Sequence, residues 1–79
     1  MRDWPRLVLC PLDARVLRAT DPLRVRGVDR VALLAGCSEE LARSSLRRLR
    51  IRMLVEDDGE RPSGWLRTHD GDVVLEHQP

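Results

Sequence analysis

The sequence predicts an α+β fold of three helices and a small antiparallel sheet. Apolar residues recur at helical spacing in three stretches, around residues 12–19, 31–35 and 42–53. Gly36 and Ser38 place a helix stop and a helix start almost back to back between the last two. Beyond residue 54, short apolar runs alternate with turns rich in Asp and Gly. The chain of 79 residues has room for one small domain, and its core must be built from Leu, Val and Ala, because it holds no Phe or Tyr and two Trp.

The first ten residues, MRDWPRLVLC, read as an N-terminal arm with an apolar run at Leu7, Val8 and Leu9, either extended or a strand. Trp4 is expected to pack within the fold rather than on a second copy. The domain proper is expected over 11–76, with 77–79 as a tail. Pro5, Pro11 and Asp13 interrupt any signal-peptide core, and no apolar run approaches a membrane span of about 18 residues. A soluble, cytoplasmic protein is therefore expected.

Helix 1 starts at Pro11, where proline suits the first turn and Asp13 complements the helix dipole. Leu12, Val16 and Ala19, with Leu17 beside them, form its apolar stripe, and Thr20-Asp21-Pro22 stops it. Leu23-Arg24-Val25-Arg26 alternates apolar and charged residues, as a short strand or an extended link does. Helix 2 is expected from Asp29, as N-cap, to Ala35, with Val31, Leu34 and Ala35 buried. Ser38 caps helix 3, which runs from about Glu39 to Ile51 and buries Ala42, Leu46, Leu49 and Met53, with Ser45 at the margin. Leu54-Val55-Glu56 and Trp65-Leu66-Arg67-Thr68 read as two strands. Asp70-Gly71 reads as a hairpin turn leading to a third strand at Val73-Val74-Leu75-Glu76.

All 14 cations are arginine. GC-rich codons explain that bias without any ligand, although a guanidinium fork suits phosphates and guanine edges. The net charge of +1 conceals a polarity: residues 1–55 carry +6 and residues 56–79 carry −5. Helix 3 turns Glu40, Arg43, Ser44, Arg47 and Arg48 away from its apolar stripe, with Ile51 further along. Arg43, Arg47, Arg48, Arg50 and Arg52 follow one another with no acid between them. A merely solvated helix usually mixes signs for i,i+4 pairing, so this face points to nucleic acid.

Cys10 and Cys37 form no CxxC pattern and read as two buried or half-buried thiols. His69 and His77, in an acidic tail, suggest no zinc site. No Ser/His/Asp arrangement and no phosphate-cradling glycine loop is present, so neither an enzyme, a metal nor a cofactor is expected.

The segment VALLAGCSEELARSSLRRLRIRMLVED, Val31 to Asp57, followed by a glycine-bearing loop and GWLRT, resembles the winged helix-turn-helix domain of microbial DNA-binding regulators. The likeness rests on core positions and, with helix 1 and the strands, covers about residues 11–76. It implies a β-hairpin wing plus a third strand behind three helices, and a recognition helix from Ser38 to Arg50. Glu40, Arg43, Ser44 and Arg47 would then face the major groove of double-stranded DNA. Arg48, Arg50 and Arg52 would touch phosphates or the helix 2 side, and Arg61 would be the wing residue nearest the backbone. Two departures stand out. The family often has glycine just before the Leu-Val pair, where this chain has Met53, and the wing is acidic, with Glu56, Asp57, Asp58 and Glu60 around Arg61.

The function this implies is a small sequence-specific DNA-binding protein, a transcription regulator or an accessory factor of a mobile element. One domain of this size covers about one half-site, so a homodimer or a partner is expected. The alternative is a winged-helix protein-interaction module, an adaptor or an inhibitor of another regulator, that uses its acidic wing and tail.

Overall fold

A computed structural model describes residues 7–58 and 64–79, so the expectations for Trp4 and Arg61 fall outside the described residues. The elements, in order, are α1 (Pro11–Ala19), β1 (Arg26–Gly27), α2 (Val28–Ala35), α3 (Glu39–Ile51), β2 (Val55–Asp57), β3 (Gly64–Arg67) and α4 (His69–Glu76). The fold is α+β, with four helices and a three-stranded antiparallel sheet in the order β1-β3-β2. That arrangement is compatible with a winged helix.

The three N-terminal helices pack on one another, each touching the other two. Their shared core is Val16 and Leu17 of α1, Val31, Ala32 and Ala35 of α2, and Ala42, Leu46 and Leu49 of α3. The sheet closes one end of this core through Val55 and Trp65, and α4 adds Val74 while packing on α1. In α2 the buried positions Val28, Val31, Ala32 and Ala35 follow i, i+3, i+4, i+7. Leu34, expected inside, is half exposed, because the stripe is centred on Val28, Val31, Ala32 and Ala35, which leaves Leu34 beyond its edge. The helix also begins earlier than expected, at Val28, its N-cap being Gly27, two residues before Asp29, which lies in the first turn.

The third strand is not where the sequence suggested. Residues 73–76 belong to α4, and the strand that completes the sheet is β1, pairing Arg26 with Trp65 and Gly27 with Gly64. Thr68 starts α4 by accepting a hydrogen bond from Gly71 N–H at 3.0 Å, and Asp70 and Asp72 lie in the first turn, where negative charge is favoured. Gly71 serves packing rather than a hairpin turn: a Cβ there would collide with the Leu54 carbonyl. Asp-Gly is a strong turn signal, but close approach of two backbones selects glycine as well.

Two helices end in the same motif on different residues. In α2, Gly36 adopts φ +70°, Cys37 N–H donates to Ala32 O at 3.1 Å and Gly36 N–H to Leu33 O at 3.3 Å. In α3, Met53 adopts φ +62°, Leu54 N–H donates to Leu49 O at 3.0 Å and Met53 N–H to Arg50 O at 2.9 Å. Both are Schellman stops, whose left-handed position favours glycine. Met53 was expected in the buried stripe; its side chain is instead 62% exposed. The turn into the sheet is thus kept with a side chain in a conformation that costs an L-residue about 1–2 kcal/mol.

Residues 7–9 and the C-terminal end are joined by Gln78. Its Oε1 accepts from Leu9 N–H at 2.9 Å, and its Nε2 donates to Leu7 O at 2.7 Å and Val74 O at 3.1 Å. Cys10, expected buried or half-buried, is exposed and caps α1, its Sγ accepting from Asp13 N–H at 3.5 Å, while Cys37 is half-buried. No helix among the described residues is long and apolar enough to cross a membrane.

Candidate nucleic-acid interface

Helix α3 is placed by polar residues hidden in its apolar contact with α1. Asp13 lies in the first turn of α1 and is only 7% exposed, in line with Val16, Leu17 and Thr20 at i+3, i+4 and i+7. Ser45 holds the same kind of position in α3, among Ala42, Leu46 and Leu49, and is fully buried. The two meet: Ser45 Oγ donates to Asp13 Oδ1 at 2.6 Å. Arg48, one turn further along α3, closes over the carboxylate from the solvent side, with Nη2 2.7 Å from Oδ1 and Nε 3.2 Å from Oδ2.

Burial alone would raise the Asp13 pKa. The hydrogen bonds from Arg48 and Ser45, together with the guanidinium charge, outweigh it and hold the carboxyl below its ordinary value. The hydrogen bond to Asp13 and then its charge raise the Arg48 pKa in return. A carboxylate with this set of donors is specified in position, so the pair fixes how α3 is rolled against α1. Asp13 was expected to serve the helix dipole alone. Its place in a buried stripe, matched by Ser45 in a second buried stripe, was the signal that the two would pair.

The outward face of α3 is what that clamp presents. Ser38 occupies the N-cap, its Oγ accepting from Leu41 N–H at 3.1 Å. Glu40, Arg43, Ser44 and Arg47 follow on the exposed side. Arg43 and Arg47 are four residues apart and have no ion-pair partner among the described residues, and like charges at that spacing oppose helix formation by a few tenths of a kcal/mol. Arg52, at the C-cap, is exposed as well.

The remaining cations of α3 have internal acidic partners. Arg48 is held by Asp13, and Arg50 Nη1 lies 3.3 Å from Asp57 Oδ2 on β2. One acid of the expected acidic wing therefore faces a cation of α3. Arg47, Arg50 and Ile51 line an open groove of about 430 Å³ at the C-terminal end of the helix. On β3, Arg67 is tied to Asp72 of α4 at 2.8 Å and donates through Nη1 to Leu17 O at 3.2 Å, so it serves the interior. Its buried Nε meets Asp72 as an ion pair without the direction of a hydrogen bond.

The residues expected to contact DNA thus divide. Ser38, Glu40, Arg43, Ser44 and Arg47 share one exposed face; Arg48 and Arg50 lie beside it, each ion-paired with an acid of the chain though still exposed; Arg61 is outside the described residues. Among the described residues, no group of three or more His, Cys, Asp or Glu side chains could hold a metal ion. No family model matches the chain, and no curated protein or solved structure matches it.

Proposed function

We propose that the chain binds double-stranded DNA as a winged helix-turn-helix protein, with α3 as the recognition helix, and that it acts as a transcription regulator or a mobile-element accessory factor. The observation that carries this reading is the Arg43–Ser44–Arg47 face, whose two arginines have no ion-pair partner among the described residues and which the Asp13–Ser45–Arg48 clamp beneath it holds outward. Arg43 and Arg47 are the guanine readers, since a guanidinium fork meets the O6 and N7 acceptors of guanine in two parallel hydrogen bonds. Ser38, Ser44 and Arg52 serve the phosphates, and Glu40 discriminates by accepting from a cytosine amino group. Arg48 is a positioning residue in this scheme. A homodimer provides the second half-site.

The Arg50–Asp57 and Arg67–Asp72 pairs lower the negative charge that the β2 edge and the C-terminal helix offer to a basic partner. They weigh against an adaptor that works through an acidic wing and tail. The deciding experiment is a titration of duplex DNA at several salt concentrations, with R43A/R47A alongside. The expected result is an affinity that falls steeply with salt and drops by at least about tenfold in the double variant. Affinity indifferent to salt, or unchanged in the variant, refutes the proposal.

A further inference from the structure

The exposed side of α1 carries a second cationic surface. Counted at about 100° per residue, Arg15 and Arg18 emerge on the far side of α1 from Asp13, the residue by which α1 grips α3. Both are exposed, and neither has an ion-pair partner among the described residues. They stand between two open grooves. One, of about 370 Å³, has Ala19, Leu34 and Ala35 as its apolar floor and Arg26 at its edge. The other, of about 260 Å³, is lined by Leu9, Pro11 and Ala14 and, from the C-terminal end, by Gln78 and Pro79. Arg26 is already committed: its Nη1 donates to Ala19 O at 2.7 Å and its Nη2 lies 3.4 Å from Asp21 Oδ2. Of the three arginines that line these grooves, Arg15 and Arg18 are therefore the two without an ion-pair partner among the described residues.

We infer that this surface docks an acidic, aliphatic-bearing peptide segment of another protein, lying across α1. The chemistry selects that class in two steps. Arg15 and Arg18 are three residues apart on one helix, so their stems start about 5–6 Å from each other, the same separation as carboxylates three or four residues apart on a partner helix. The grooves on either side offer apolar floors, including the half-exposed Leu34, which an aliphatic side chain covers and a phosphate backbone does not. The surface lies on the opposite side of α1 from α3, so its occupant is recruited separately from anything held by Arg43 and Arg47.

The test is selection from a displayed library of random peptides about twelve residues long on the full chain, with R15E/R18E as the comparison. Both side chains are exposed, and circular dichroism checks that the variant keeps its fold. The expected outcome is enrichment of peptides carrying paired Asp or Glu beside Leu, Ile or Val. Their binding falls by at least about tenfold in R15E/R18E and stays unchanged in R43A/R47A. Amide shifts on titration should centre on residues 11–19 and 34–35. Enriched peptides without acidic pairs, or binding indifferent to R15E/R18E, overturn the inference. Self-association of the chain that R15E/R18E abolishes assigns the surface to a second copy, and a loss of duplex affinity in R15E/R18E equal to that in R43A/R47A assigns it to nucleic acid; either overturns it as well.

Discussion

Arg48 clasps Asp13 across 35 residues of chain, with Nη2 2.7 Å from Oδ1 and Nε 3.2 Å from Oδ2, on a carboxylate that already accepts from Ser45. The three side chains join the first turn of α1 to the middle of α3. Removing a partner leaves buried polar atoms without hydrogen bonds, which is costlier than never having buried them.

Asp13→Asn is expected to destabilise the fold by about 1–3 kcal/mol at neutral pH, below the usual cost of breaking a fully buried pair because Arg48 reaches solvent. The pH dependence follows from the lowered folded pKa of Asp13. An unfolded chain takes up the proton at about pH 3.9, so the contribution is fully present above that value. It is lost as pH falls through the lower, folded pKa. Denaturant unfolding of wild type and variant at neutral pH and in steps below pH 4 should show the difference shrinking with acid. A gap that stays constant removes Asp13 as its cause.

Met53 occupies a left-handed position at the end of α3 with its side chain in solvent. Met53→Gly should therefore stabilise the fold by about 0.5–1 kcal/mol, the relieved strain exceeding the entropy glycine adds to the unfolded chain. Met53→Val should destabilise it by more than about 1 kcal/mol, since a β-branched residue resists positive φ. Midpoints of thermal or denaturant unfolding decide. Destabilisation by glycine would mean that the Met53 side chain contributes contacts that outweigh its strain.

Gly71→Ala places a methyl group against the Leu54 carbonyl and should cost about 2 kcal/mol or more. Thr68→Ala removes the α4 cap and should cost about 1 kcal/mol. Far-ultraviolet circular dichroism and denaturant unfolding of both variants test whether α4 depends on them. A neutral Gly71→Ala would show that α4 can shift outward without loss.

Asp57→Asn releases Arg50 from its ion pair on β2. If α3 lies on DNA, the released guanidinium should raise duplex affinity several-fold and steepen the salt dependence by about 0.9, as for one added phosphate contact. Binding titrations at two salt concentrations read both quantities. An unchanged slope would place Arg50 away from the backbone.

The helices up to Ile51 were legible because their signals are local. Proline at the start of α1, Gly36 as the stop of α2, Ser38 as the cap of α3 and the Ala42–Leu46–Leu49 spacing each act within a turn or two. What escaped depended on distant partners or on one residue type with two uses. Asp70-Gly71 signals a hairpin, yet Gly71 answers a steric demand from Leu54, and that hid α4. A non-glycine residue gives no sign that it will adopt positive φ, which hid the exposure of Met53. On the candidate site, the helical wheel and the family likeness set Arg43 and Arg47 apart from Arg48 and Arg50, but gave the latter two phosphates or the helix 2 side and no acidic partner within the chain. The acids that engage the latter pair lie on α1 and β2.

Thr68 joins two of these features through one hydroxyl, which accepts from Gly71 N–H and donates to Met53 O at 2.7 Å, while Thr68 N–H donates to Leu54 O at 3.1 Å. The strained end of α3 and the first turn of α4 are thereby expected to open as a single cooperative unit. Amide exchange at Leu54, Thr68 and Gly71 should report one shared opening free energy rather than three. The lifetime of the last turn of the arginine-bearing helix is then set by a helix that follows it only after two strands.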